Sequence, residues 1–217
     1  RCQPVTGVQT CALPILACFI SHTDLPMLFG RAARRAGLSP EQTQGFSPHP
    51  RLALCPPLPV GVIGLKEPAD FWFLDWDDTS FKRWRSFLPQ GIDILDARSV
   101  DGVSLNKLCS AAAYRLESIG SANPDDIAAV LRTSLSAQDA LLSITLSGKE
   151  IHVASCDLER CGPSFMVKSL VASEVVSGWD ELAIARLAVG QWDPVKMAVT
   201  PLWEDTLSVN QDRKSVV

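Results

Sequence analysis

Leu25, Leu28, Phe29, Ala32, Ala33 and Ala36 recur at three- and four-residue spacing. That spacing lays them along one side of an α-helix. Thr23 or Asp24 stands where a cap is expected, Pro26 falls in the first turn, and Gly37 marks the stop. Arg31, Arg34 and Arg35 lie off the apolar stripe, toward solvent. Ahead of this helix, residues 16–20 (LACFI) predict a strand. Residues 39–50 predict a loop from their Pro, Gly and Ser content. Residues 51–55 (RLALC) predict a second strand, ended by Pro56, Pro57 and Pro59, which cannot donate to a ladder. Aromatic-rich residues 71–76 (FWFLDW) predict a third strand, residues 80–88 a short helix, and residues 92–97 a fourth strand. The order βαββαβ is the ferredoxin-like arrangement.

The pattern repeats downstream. Residues 112–119 predict a strand. Asn123 caps a helix with Pro124 at its first position, Asp125 and Asp126 at its positive end, and Ile127, Val130, Leu131 and Leu135 on its apolar side. Residues 141–146 and 151–154 predict a hairpin around Ser147-Gly148. Residues 179–189 predict a helix and residues 195–200 a last strand. The expectation is an α+β chain of two ferredoxin-like βαββαβ units, residues 16–102 and 103–211, divided near Gly102.

Both ends are set aside from this reading. Residues 5–15 (VTGVQTCALPI) resemble a translated sequencing adapter, and residues 212–217 (DRKSVV) resemble the matching adapter on the opposite strand. Segments 1–15 and 212–217 are therefore expected to be adapter-derived.

The whole chain carries a net charge of −4. That argues against sequence-wide affinity for nucleic acid and leaves room only for a local basic patch. No apolar run reaches membrane-spanning length, so no membrane partner is expected. The cysteines outside the end segments are Cys18, Cys55, Cys109, Cys156 and Cys161. Their odd number and their scatter through apolar segments predict reduced thiols and a cytoplasmic setting. No second cysteine pair accompanies Cys156 and Cys161, so no metal or other cofactor is expected. Gly-rich phosphate loops, paired catalytic carboxylates and a serine-nucleophile elbow are absent from the sequence.

The distinctive block is SHTDL (Ser21, His22, Thr23, Asp24, Leu25), FGRAARRAGL (29–38), GFSPHPRLAL (45–54) and PLPVGV (57–62). On these motifs the chain resembles the radical-SAM-linked protein family of bacteria, with weaker echoes in LPQGI (88–92) and AAYRL (112–116). The chain has no CxxxCxxC cluster motif, so it is not itself the radical SAM enzyme. The resemblance implies a radical SAM protein, encoded nearby or fused in relatives, as partner. It carries no catalytic residues over.

The candidate binding residues are His22, Asp24, Arg31, Arg34, Arg35, Gly45, Phe46, Ser47, His49 and Arg51. Guanidinium forks match phosphate oxygens, and the alternative for the three helix arginines is a solvated face. His49, bracketed by Pro48 and Pro50, presents its imidazole at a restrained angle, for binding or for bracing the loop. His22 is expected to hold the strand-to-helix turn. Gly45 permits a tight turn, and Phe46 is expected to anchor the loop in the core. Trp72, Trp76 and Trp84 are expected in the core. Asp75, Asp77 and Asp78 are expected to serve turns and caps.

Two functions compete on these residues. One is a non-catalytic accessory or substrate-presenting module that works with a radical SAM enzyme, RNA being the expected substrate. The other is a metal-independent enzyme acting on RNA or a nucleotide, with His22 and His49 as acid and base.

Overall fold

The computed structural model describes residues 8–12, 17–77, 79–97, 105–138, 140–158 and 160–202. The division expected near Gly102, the third aspartate of the acidic group (Asp78) and the segment 212–217 lie outside these residues.

The first unit contains β1 (Val8–Ala12), α1 (Leu25–Arg35), β2 (Leu52–Leu54), β3 (Ile63–Gly64), β4 (Glu67–Phe71), α2 (Ser80–Ser86) and β5 (Asp93–Ala97). Its sheet runs β2-β4-β1-β5 with every neighbour antiparallel. That is the strand order of a ferredoxin-like βαββαβ unit, with β3 as an insertion. The slot between β4 and β5 is filled by β1, inside the segment set aside above. Residues 16–20 were expected to fill it, but Ala17–Phe19 instead form a 3-10 turn leading into α1. The aromatic strand expected at 71–76 ends where it was expected to begin. The ladder covers Glu67–Phe71, and Phe73 keeps its inward alternation through a single bridge to Pro40.

α1 packs its apolar side on this sheet. Phe29, Ala32, Ala33 and Ala36 are buried with Phe71, Phe73 and Ile94. Trp84 of α2 is fully enclosed at the centre, with ring centroids 4.8 Å from Phe71 and 5.1 Å from Phe73. Trp76 and Trp72 are only half-buried. α1 stops as expected. Gly37 takes φ +74°, and the Leu38 N–H reaches back to the Ala33 carbonyl, the left-handed termination that glycine favours. Its start differs, because neither Thr23 nor Asp24 makes a side-chain cap.

Asp77 does serve α2 as expected. Its Oδ1 accepts from the Thr79 N–H at 2.8 Å, the Thr79 hydroxyl at 2.7 Å and the Ser80 hydroxyl at 3.0 Å. These donors favour the ionised form, the Thr79 side chain most, and draw the Asp77 carboxyl down to about 2 from 3.8. A depressed folded-state pKa contributes stability above the unfolded value and loses it as pH falls through the folded one. Acid titration from pH about 4 to about 2 should therefore loosen α2, and Asp77→Asn should remove that part of the profile. Helical circular dichroism of the two chains across that window checks this.

The second unit contains α3 (Leu105–Leu108), β6 (Ala111–Ser118), α4 (Pro124–Ser136), β7 (Leu142–Ser147), β8 (Glu150–Ser155), α5 (Pro163–Ala172), β9 (Leu182–Asp193) and β10 (Ala198–Pro201). The sheet order β7-β8-β6-β9 again gives the ferredoxin-like connectivity, and β10 extends it. Asn123 caps α4 by accepting from the Asp125 N–H at 3.0 Å. The hairpin turns where expected, with Gly148 at φ +61°. Residues 179–189, expected as a helix, are a short 3-10 turn followed by β9. α5 was not anticipated.

The units are joined by more than the chain. β3 of the first pairs in parallel with β9 of the second, Ile63 opposite Ala185 and Gly64 opposite Arg186. Cys55 and Val62, from the first unit's connection, belong to the second unit's core.

Candidate functional site: a basic helix face beside a proline-braced loop

The sequence places no acid within α1 or α2, and six basic residues there are exposed: Arg31, Arg34, Arg35, Lys82, Arg83 and Arg85. The α2 group reaches the end of α1, where the Arg83 guanidinium lies 3.8 Å from the point at which a Cβ on Gly37 would project. Arg83 pairs with Asp77 at 3.4 Å, and Arg85 grips Asp93 through two bonds of 2.6 and 2.5 Å. Among the described residues no partner engages Arg31, Arg34 or Arg35. In a chain with net charge −4, this helix layer is a local concentration of positive charge.

The loop between α1 and β2 folds back as a narrow lobe. The Glu41 N–H donates to the Trp72 carbonyl at 2.8 Å, the Arg51 N–H to the Glu41 carbonyl at 2.7 Å, and the Thr43 N–H to the His49 carbonyl at 2.8 Å. The Arg51 guanidinium bonds Glu41 at 3.1 Å and lies 4.5 Å above the Trp72 ring, so Trp72 has a stacking role on the surface. Pro50 is buried against Gly30 of α1, where a Cβ would come within 2.5 Å of the proline Cγ. Glycine inside a helix costs about 1 kcal/mol relative to alanine. Here it lets the loop seat directly on the helix. Arg34 is one turn beyond Gly30 and so occupies the same flank.

His49 is exposed and braces the loop. Its Nδ1 lies 3.1 Å from Thr43 Oγ1 and 3.3 Å from the Ser47 carbonyl, and its backbone N–H donates to Thr43 Oγ1 at 3.2 Å. Gly45, at φ +138°, turns the tip. Phe46 corrects the expectation of a core anchor. Its side chain is fully exposed at the tip, because the lobe is held by backbone bonds and by Pro50 rather than by an aromatic plug. Asp24 is exposed at the start of α1. His22 sits elsewhere, with Nε2 3.1 Å from the Cys55 carbonyl, tying the entry of α1 to the end of β2. It lines a cleft of about 630 Å³ between the units, along with Pro56, Cys109, Cys156 and Asp157.

Sequence reasoning missed what lies beneath that cleft. Arg186, 2% exposed, donates to both Glu67 carboxylate oxygens and, at 2.9 Å, to the Pro56 carbonyl. Burial opposes its charge, but the attraction and hydrogen bonds of Glu67 more than offset this and raise its pKa. The signal was a lone charge inside the apolar run LAIARLAVG (182–190). Beside the pair, a small apolar cavity of about 60 Å³ is lined by Cys18, Ile20, Leu25, Phe29 and Val62. The described residues hold no group of three or more His, Cys, Asp or Glu side chains placed to bind a metal ion. They hold no helix long and apolar enough to cross a membrane.

Comparison with curated proteins finds no match. Residues 16–174 match a family described as an uncharacterized protein conserved in bacteria (DUF2344), a span that takes in α1, the lobe, both faces of the cleft and most of the second unit. The chain belongs to the DUF2344 family.

Proposed function

We propose that this chain is a non-catalytic accessory module that presents RNA to a radical SAM enzyme in the cytoplasm. The observation that carries the reading is the helix layer of the first unit, where three arginines with no partner among the described residues adjoin the proline-braced lobe. Phosphates would be held by Arg31, Arg34 and Arg35, whose planar forks suit them. Phe46 offers an aromatic face at the lobe tip on which an unpaired base can stack. His49, Ser47 and Gly45 hold that tip in shape, and Arg51 steadies its base. The radical SAM partner follows from the resemblance of the SHTDL, FGRAARRAGL and GFSPHPRLAL motifs. His22 and His49 are each engaged with a different segment, so their contacts favour holding roles over paired acid–base work.

The test is fluorescence anisotropy with a labelled single-stranded RNA, beside co-purification with a radical SAM protein encoded next to a relative. The triple variant Arg31→Ala/Arg34→Ala/Arg35→Ala should weaken RNA binding at least about tenfold. It should also flatten the slope of log affinity against log salt by about 2, as loss of three single-strand phosphate contacts requires. Phe46→Ala should weaken binding while leaving the slope unchanged, since stacking releases no counterions. If neither RNA nor the radical SAM protein binds at low-micromolar concentration, the reading is wrong.

A further inference from the structure

Cys55 follows β2 and Cys109 follows α3, and their Sγ atoms are 3.2 Å apart although 54 positions separate them in the chain. A disulfide spans about 2.05 Å, so closure asks for only about 1 Å of further approach. Both thiols are buried, yet both line the cleft between the units, along with His22 and Ser110. A small reagent entering that cleft reaches the pair without unfolding the chain.

We propose that Cys55 and Cys109 form a redox-active dithiol that hydroperoxides oxidise to a disulfide, fastening the first unit to the second. Cys109, 6% exposed against 3% for Cys55, is the more accessible of the two and the attacking sulfur. The hydrogen bond from Cys55 lowers the Cys109 pKa and outweighs burial, which opposes it, with the nearby Arg186 guanidinium acting in the lowering direction. The same bond raises Cys55, with burial adding to it. This asymmetry gives one nucleophile and one resolving thiol.

In the first step a lone pair on the Cys109 thiolate attacks a peroxide oxygen. The O–O bond breaks, Cys109 becomes a sulfenic acid, and the departing alkoxide or hydroxide takes the proton that Cys109 released. In the second, the Cys55 sulfur attacks the Cys109 sulfur, the S–O bond breaks, and hydroxide leaves with the Cys55 proton as water. Two electrons pass from the sulfurs to the peroxide, giving one alcohol and one water, or two waters from hydrogen peroxide. Cys161 is fully buried, and burial raises its thiol pKa. Cys156, which lines the same cleft and accepts the Leu141 N–H at 3.1 Å, is the competitor the experiment must exclude.

The folded chain is treated with hydrogen peroxide, quenched in acid, alkylated and mapped by peptide mass spectrometry. The expected product is lighter by two hydrogen atoms, carries a linked peptide joining Cys55 to Cys109, and returns to the dithiol with dithiothreitol. Cys55→Ser should halt the reaction at a sulfenic acid on Cys109, trapped by dimedone, and Cys156→Ser should leave the linkage intact. A dominant link through Cys156 would overturn the proposal. So would Cys55 and Cys109 that alkylate as fully after peroxide as before it. The wild-type map decides the matter even if a variant fails to fold.

Discussion

Glu67→Ala should destabilise the chain by about 3–5 kcal/mol, the cost of leaving a buried charge without its partner. Arg186 is 2% exposed, and Glu67 supplies both of its carboxylate contacts. The guanidinium also donates to the Pro56 carbonyl, which cannot neutralise it. The double variant Glu67→Ala/Arg186→Met should recover much of the loss, because an apolar side chain in a dry site carries no desolvation cost. Urea unfolding of the two single variants and the double closes the cycle. A single-variant loss below about 1 kcal/mol would mean that water reaches the pair, as it does ordinary surface ion pairs.

Trp84→Ala should cost a similar amount, about 3–5 kcal/mol, through lost transfer energy and the cavity left behind. Trp84 is wholly enclosed, its rings meet Phe29, Phe71, Phe73 and Trp76 edge-on, and its Nε1–H donates to the Phe29 carbonyl at 3.3 Å. The residue therefore ties α2 to α1 and to β4 at once. For a chain of this size the thermal midpoint should fall by roughly 10 °C, while Trp84→Phe, which keeps most of the ring area, should fall by much less. A shift of Trp84→Ala within a degree or two of the parent would contradict the enclosed placement of this ring.

The elements of the molecule differ in how far their own residues announce them. α1, α4 and the β7–β8 hairpin were legible because their signals are local. A three/four apolar stripe, Asn123 before Pro124, and Gly148 in a tight turn each act within a few positions. Strand order followed from the succession of elements. β9 was misread because LAIARLAVG is apolar almost throughout. Leu182, Ile184, Ala185 and Val189 satisfy a helical stripe as well as a strand covered on both faces. α5 went unseen for the same reason, its FMV and LVA clusters giving no clear polar side. Residues 71–76 were placed late because aromatic content marks burial rather than ladder pairing, and burial continues to Phe73 after the continuous ladder has given way to a single bridge.

The basic face was legible down to individual residues, since three arginines without an acid between them need no tertiary information. The fate of Phe46 was not, because a loop closed by its own backbone has no use for an aromatic plug. The Glu67–Arg186 and Cys55–Cys109 contacts, 119 and 54 positions apart, arise only when two sheets are set against each other. No spacing rule reaches that far.

The two-residue strand Ile63–Gly64 leaves its own half of the chain to lie along β9. Dividing the polypeptide at the midpoint would thus separate the sequence into halves without yielding two self-sufficient modules: one would lose its border ribbon, and the other would keep a stray apolar arm. The pair is better regarded as a single body with one shared keel, so that the fold of either half depends on the other.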